Sequence, residues 1–184
     1  MPARPIVYFP DPRLKTACAD APEITDDLRD AAQDLLDTMD AGPPRTVGIA
    51  APQIGVLSRL AIVDTSRNPK HPSGHGLLIL VNPRIVSHEG EQFFREGCLS
   101  LPDYTANIRR FQSVTVEALG LDGKALLVEA EGFEAVVLQH EIDHLDGILF
   151  LDRVRNMKTD LFRRKGTHPA VRGGDPPQGG GRRG

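Results

Sequence analysis

The sequence predicts an α+β domain, with mostly antiparallel strands packed around a late helix. Three observations carry this. A helical apolar period stands near the N-terminus, at residues 23 to 40. Strand-like runs follow it, and two of them flank a turn at Asp122-Gly123. A second helical segment comes only after those runs, from about Phe133 to Asp146. Helices and strands in blocks, without repeating βαβ units, point to this class. No internal repeat is visible.

Residues 1 to 14 are proline-rich and read as a segment wrapping the surface. In "EITDDLRDAAQDLLDTMD", Ile24, Leu28, Ala31, Leu35 and Met39 recur at helical spacing, which makes an N-terminal amphipathic helix. Thr25 suits its N-cap, and "AGPPR" ends it, because proline cannot continue a helix. "SRLAIVD" at 58 to 64 reads as a strand, and 76 to 87 holds one or two around Asn82-Pro83. The polar loop between them carries His71 and His75, both expected to be exposed. Residues 113 to 130 alternate on either side of Asp122-Gly123 and read as a hairpin. Gly147 is placed to end the late helix. The tail from Gly166 is rich in Gly and Pro, without an apolar period, and is expected to be disordered. This gives a single domain over 1 to 165 and a basic tail over 166 to 184.

Net charge is −3, yet six of the 22 basic residues and one of the 25 acidic ones lie from Arg163 onward. The remaining 16 basic and 24 acidic residues leave −8 on residues 1 to 162. Such a body does not suit nucleic-acid binding. The basic tail reads as a solvated extension. No apolar run reaches 18 residues, and "MPARPIVYFPDPRL" lacks the apolar centre of a signal peptide, so a cytoplasmic location is expected. Cys18 and Cys98 are the two cysteines, too few for a disulfide framework.

The chemistry concentrates in "QHEIDHLDG", residues 139 to 147. His140 and His144 are four apart, so a helix presents both imidazoles to one ion. Glu141 on the adjoining face reaches the ion's water as a general base, the His-Glu-x-x-His arrangement of metal hydrolases. The third ligand is open on this reading. A third His ten residues after the first is ruled out, because Phe150 stands there. No Glu follows Glu141, which removes a downstream Glu as well. An Asp, the tail residue His168 or an upstream residue remains. Upstream, Cys98 in "REGCLSLP" offers a thiolate that would complete a Cys-His-His set with one open position.

Three segments together resemble peptide deformylase: "VGIAAPQIG" at 47 to 55, "EGCLSLP" at 96 to 102 and "QHEIDHLDG" at 139 to 147. With the N-terminal "FPDPRL", the likeness covers roughly residues 5 to 160. It implies Cys98, His140 and His144 as metal ligands. The implied activity is removal of the formyl group from the formyl-methionine of new proteins, releasing formate. In that scheme the ion activates a water and Glu141 moves its proton. Gln53 and the backbone N–H of Leu99 stabilise the oxyanion. Gly48, Ile49 and Gly97 would contact the peptide backbone, while Val136 and Val137 line a methionine slot. The expected ion is Fe²⁺ in the cell, with Zn²⁺, Ni²⁺ or Co²⁺ fitting purified protein. The expected partners are N-formylmethionyl nascent peptides, with a ribosome contact through "LFRRKG" at 161 to 166. Two departures stand out. Thr46 replaces a usual Gly, and Thr105 falls where an Arg is usual, with Arg110 matching a second basic position.

Overall fold

The computed structural model describes residues 3 to 164. The expected disorder of 166 to 184 lies outside the described residues, as does His168. The first helix, α1, spans Asp26–Ala41. The Thr25 hydroxyl accepts from the Leu28 N–H at 3.2 Å, so the expected cap is in place. Leu28, Ala31, Leu35 and Met39 are buried on one face, and Ile24 packs beside them just ahead of the helix. The helix stops at Gly42, before Pro43-Pro44.

One antiparallel sheet has five strands: β1 (Gly48–Ala50), β2 (Leu60–Val63), β3 (Leu78–Glu89), β6 (Ser113–Leu119) and β7 (Ala125–Glu131), in that order. A second has three: β4 (Gln92–Cys98), β5 (Leu101–Arg110) and β8 (Leu161–Arg163). The second helix, α2 (Gly132–Leu145), packs on the large sheet. Every residue of β2 is buried because its two faces serve different helices. Leu60 and Ile62 pack in the cluster around α1, while Val63 packs with Leu138 and Ile142 of α2. A strand covered on both faces loses its alternation and reads as a continuous apolar run.

Residues 76 to 87 resolve into the single bent strand β3. Its register shifts between Val81 and Arg84, and Asn82 takes φ 53. The Asn82 side chain fixes the bend by bonding both the N–H and the carbonyl of Ala21 at 2.8 Å. The hairpin β6–β7 turns at Gly120 to Lys124, with Gly123 at φ 76. Gly147, at φ 72, follows the end of α2. The proline-rich N-terminus is a strap between the two sheets. Val7 N–H donates to the Gln53 carbonyl at 2.8 Å and Phe9 N–H to the Ser100 carbonyl at 3.0 Å.

Two features went beyond the sequence pattern. The long hairpin β4–β5 is not marked by the sequence pattern, because its inner face carries Glu96 and Arg110 where apolar residues would mark a strand. Strand β8 takes in half of "LFRRKG", so that segment is partly sheet. Among the described residues, no helix is long and apolar enough to cross a membrane.

Candidate active site

Eleven of the fourteen α2 residues are buried, so each polar side chain on it needs a partner. Gln139 bonds the Phe111 N–H at 2.9 Å and the Phe111 and Ala135 carbonyls at 3.0 and 2.8 Å. Glu134 accepts from the His75 N–H and meets His75 Nδ1, both at 2.8 Å. Asp143 pairs with Arg110 and Arg153, each at 2.5 Å. Two atoms on the helix differ: Glu141 Oε2 and His144 Nδ1 are buried with no hydrogen-bond partner among the described residues. Both belong to the His-Glu-x-x-His segment.

Cys98 stands at the end of β4, over that helix. Its Sγ lies 3.2 Å from His144 Nε2. Ligand atoms of Cys98, His140 and His144 all fall within 4.8 Å of one another. A thiolate and two imidazoles at this spacing suit a borderline-soft divalent ion, and they leave a position open for a water or substrate. His140 Nδ1 bonds Glu96 Oε2 at 2.8 Å, which turns its Nε2 toward the other two donors. Glu96 is itself gripped by Arg110 at 2.6 and 2.8 Å, and Arg110 continues to Asp143. The chain runs from β4 through β5 to α2.

Charges follow this geometry. Burial would raise the Glu96 pKa, but bonds to Arg110 and His140 bring it down to about 2. Burial works against a charged His140, yet its bonds to Cys98 and Glu96 hold its pKa well above the ordinary value. Burial and then the charge on His140 push His144 well below it. Burial drives Glu141 up to about 7, against the pull of His140.

Gln53 sits in the turn Ala51–Ile54 after β1. Its Oε1 accepts from the Ala50 N–H at 2.9 Å, which fixes which end of the amide faces the cysteine. Its Nε2 then lies 3.5 Å from Cys98 Sγ and 3.3 Å from Ser100 Oγ. Leu99 occupies the two-residue turn between β4 and β5 and lines the cleft. The cleft encloses about 400 Å³. Gly48, Gln53, Gly97, Val136, Val137, His140 and Glu141 also line it, so most of the expected site residues meet there. Ile49 is buried, with its side chain in the core around α1. A Cβ on Gly48 would collide with the Glu141 carboxylate, so this glycine makes room for that group.

Some residues had other roles than expected. His71 is half-buried, its ring 4.6 Å from Phe133 and 5.7 Å from Phe94, both of which line the cleft. His75 is exposed as expected, and neither histidine joins the triad. The Thr46 hydroxyl turns back to the Pro43 carbonyl at 2.8 Å. Arg110 is buried behind Glu96 and does not face the cleft. Sequence reasoning missed Glu96, Ser100 and Asp143. Their only signal was proximity to the ligands, at two positions on either side of Cys98 and one before His144.

Comparison with known proteins places these features in a family. The family model described as polypeptide deformylase matches residues 3 to 160. A peptide deformylase from Thermodesulfovibrio yellowstonii is 44% identical over 160 residues, covering 87% of this chain and 94% of the relative. One from Rhizobium meliloti is 40% identical over 171 residues, covering 92% and 95%. The crystal structure of the Legionella pneumophila enzyme is 42% identical, covers 85% and 88%, and has a TM-score of 0.76. A Met-Ala-Ser-bound class I type b peptide deformylase from Acinetobacter baumannii is 33% identical, covers 83% and 98%, and also scores 0.76. The match takes in every element described above except β8, so the chain belongs to the polypeptide deformylase family of metalloenzymes.

Proposed function

We propose that the protein hydrolyses the formyl amide of N-formylmethionyl peptides and releases formate. The observation that carries the reading is Glu141: a carboxylate oxygen buried with no partner among the described residues, on the cleft wall beside the donor set of Cys98, His140 and His144. In this reading residues 1 to 165 form one catalytic unit, and Cys98, His140 and His144 hold one divalent ion, Fe²⁺ in the cell. When bound, that ion supplies Lewis acidity and an activated water near neutral pH.

Glu141 takes a proton from the attacking water at its carboxylate and passes it to the departing amine. Burial, which raises the Glu141 pKa, favours its holding the proton between the two halves of that transfer. Negative charge gathers on the formyl oxygen as its carbon is attacked. Gln53 Nε2 and the Leu99 N–H are the donors for it, and the bond from Ala50 keeps the Gln53 amide from rotating. Val136 and Val137, with Phe94 and Phe133, form the apolar wall for the methionine side chain. Gly48, Ile49 and Gly97 offer backbone to the peptide. The Acinetobacter relative seen with Met-Ala-Ser supports a peptide that begins with methionine.

The test is formate release from formyl-Met-Ala by Fe²⁺- or Ni²⁺-loaded protein, beside Glu141→Ala. The variant should keep its metal and lose turnover by about 100-fold or more, the range of general acid–base catalysis. Parental turnover in the variant, or none in a folded, metal-loaded parent, would sink the reading.

A further inference from the structure

We propose that Arg164 is a substrate-positioning residue. Its guanidinium holds main-chain carbonyl or terminal carboxylate oxygens of the peptide beyond the methionine. The proposal rests on the deformylase reading for the identity of the substrate.

Strand β8 joins the small sheet at β5, with Thr105 opposite Phe162. The Arg164 N–H donates to the Asp103 carbonyl at 2.7 Å, extending the ladder one residue past β8. The period of two along a strand puts Arg164 on the face shared by Phe162. Across the sheet, Gly97 pairs with Thr105 on that same face. Arg95, two residues before Gly97, lies over the Phe162 ring at 3.5 Å from its centroid. This packing pins β8 to the strand that ends in Cys98.

The Arg164 guanidinium then crosses Thr105 and lies directly over Gly97. A Cβ at residue 97 would collide with it, so this position must stay without a side chain for the guanidinium to lie there. Gly97 immediately precedes Cys98, and Arg164 lines the same cleft as Gln53 and His140. Arg164 makes no salt bridge with a described carboxylate. The two carboxylates of the cleft are both committed elsewhere. Glu96 is held by Arg110 and His140, and Glu141 is buried at the base of the cleft. Arg164 therefore offers unpaired planar donors at the mouth.

Those donors match a pair of carbonyl or carboxylate oxygens. With the formyl group at the triad and the methionine side chain against Val136 and Val137, the rest of the peptide leaves by the mouth. Its main chain passes the wall that Gly97 and Arg164 form.

The test compares formyl-methioninamide, formyl-Met-Ala-Ser and formyl-Met-Ala-Ser amide as substrates of parent, Arg164→Ala and Arg164→Lys. Arg164→Ala should raise KM for formyl-Met-Ala-Ser relative to formyl-methioninamide by about 10-fold, the scale of one charge-assisted contact. Calorimetric binding of Met-Ala-Ser to the metal-loaded protein should weaken by a similar factor, and lysine should recover only part of it. Adding Thr105→Arg to Arg164→Ala sets a guanidinium on the same row and should restore the KM ratio. A ratio that does not move would overturn the proposal. So would a ratio that falls, because the guanidinium would then obstruct the peptide. A parent inactive on every formylated substrate would count against the deformylase reading, while the calorimetric arm would still read Arg164 directly.

Discussion

Glu96, on the cleft wall, sets which nitrogen of His140 would face an ion. Its Oε2 accepts from Nδ1 and so fixes which ring nitrogen faces Cys98 and His144. Glu96→Gln should therefore weaken metal retention by about 10- to 100-fold, the usual scale for such supporting partners. Competition with a chelator measures it, and unchanged retention would show that His140 needs no support. Part of the candidate donor set was legible in the sequence: His140 and His144 from helical spacing, with Glu141 beside them as the candidate base. Cys98 was one of several options by position and became definite only through the family resemblance. Glu96 was not legible, because a carboxylate two residues before a ligand reads as an ordinary polar residue until Arg110 is seen to close on it. The structure also gave Gly48 a use that its residue type alone did not suggest, as room for Glu141.

At the scale of elements, segments with a one-sided apolar period were read correctly. The α1 stripe and its Thr25 cap were legible because one face of that helix meets the core and the other meets solvent. Thr25→Ala should lower stability by about 1 kcal/mol, the usual cost of losing a cap. Thermal unfolding reports it, and formate turnover should hold, since α1 supplies no residue to the cleft. A stability loss well above that would mean that Thr25 does more than cap the helix. Strands β4 and β5 were largely illegible for the opposite reason. Glu96 and Arg110 face inward while Phe93 faces outward at 71% exposure, so polarity runs against burial. Strand β8 has only three residues, too short to show a period.

For the whole molecule, the Glu96–Arg110–Asp143 chain ties the small sheet to α2 and so joins the two halves that frame the cleft. Glu96 has a folded pKa of about 2 against an ordinary 4.5. A depressed pKa contributes stability above the unfolded value. That stability is lost as pH falls from about 4.5 toward 2. Arg110→Met strips both carboxylates of their shared partner and should cost about 3–5 kcal/mol at pH 7. The gap between parent and variant should narrow as pH drops through that window. Urea unfolding at pH 7 and pH 3 checks both statements, and a gap that widens in acid would contradict the assignment.

The N-terminal strap bears on how the molecule is made. Val7 and Phe9 leave the synthesis machinery well before their partners Gln53 and Ser100, which come 46 and 91 positions later. Cys98 waits a further 46 positions for His144. Contacts this distant in sequence form slowly and leave partners unsatisfied meanwhile. The growing chain can lay down α1 and the first strands early. Its reactive centre closes only when α2 is complete, so a fragment ending before residue 144 would carry most of the large sheet and no finished donor set.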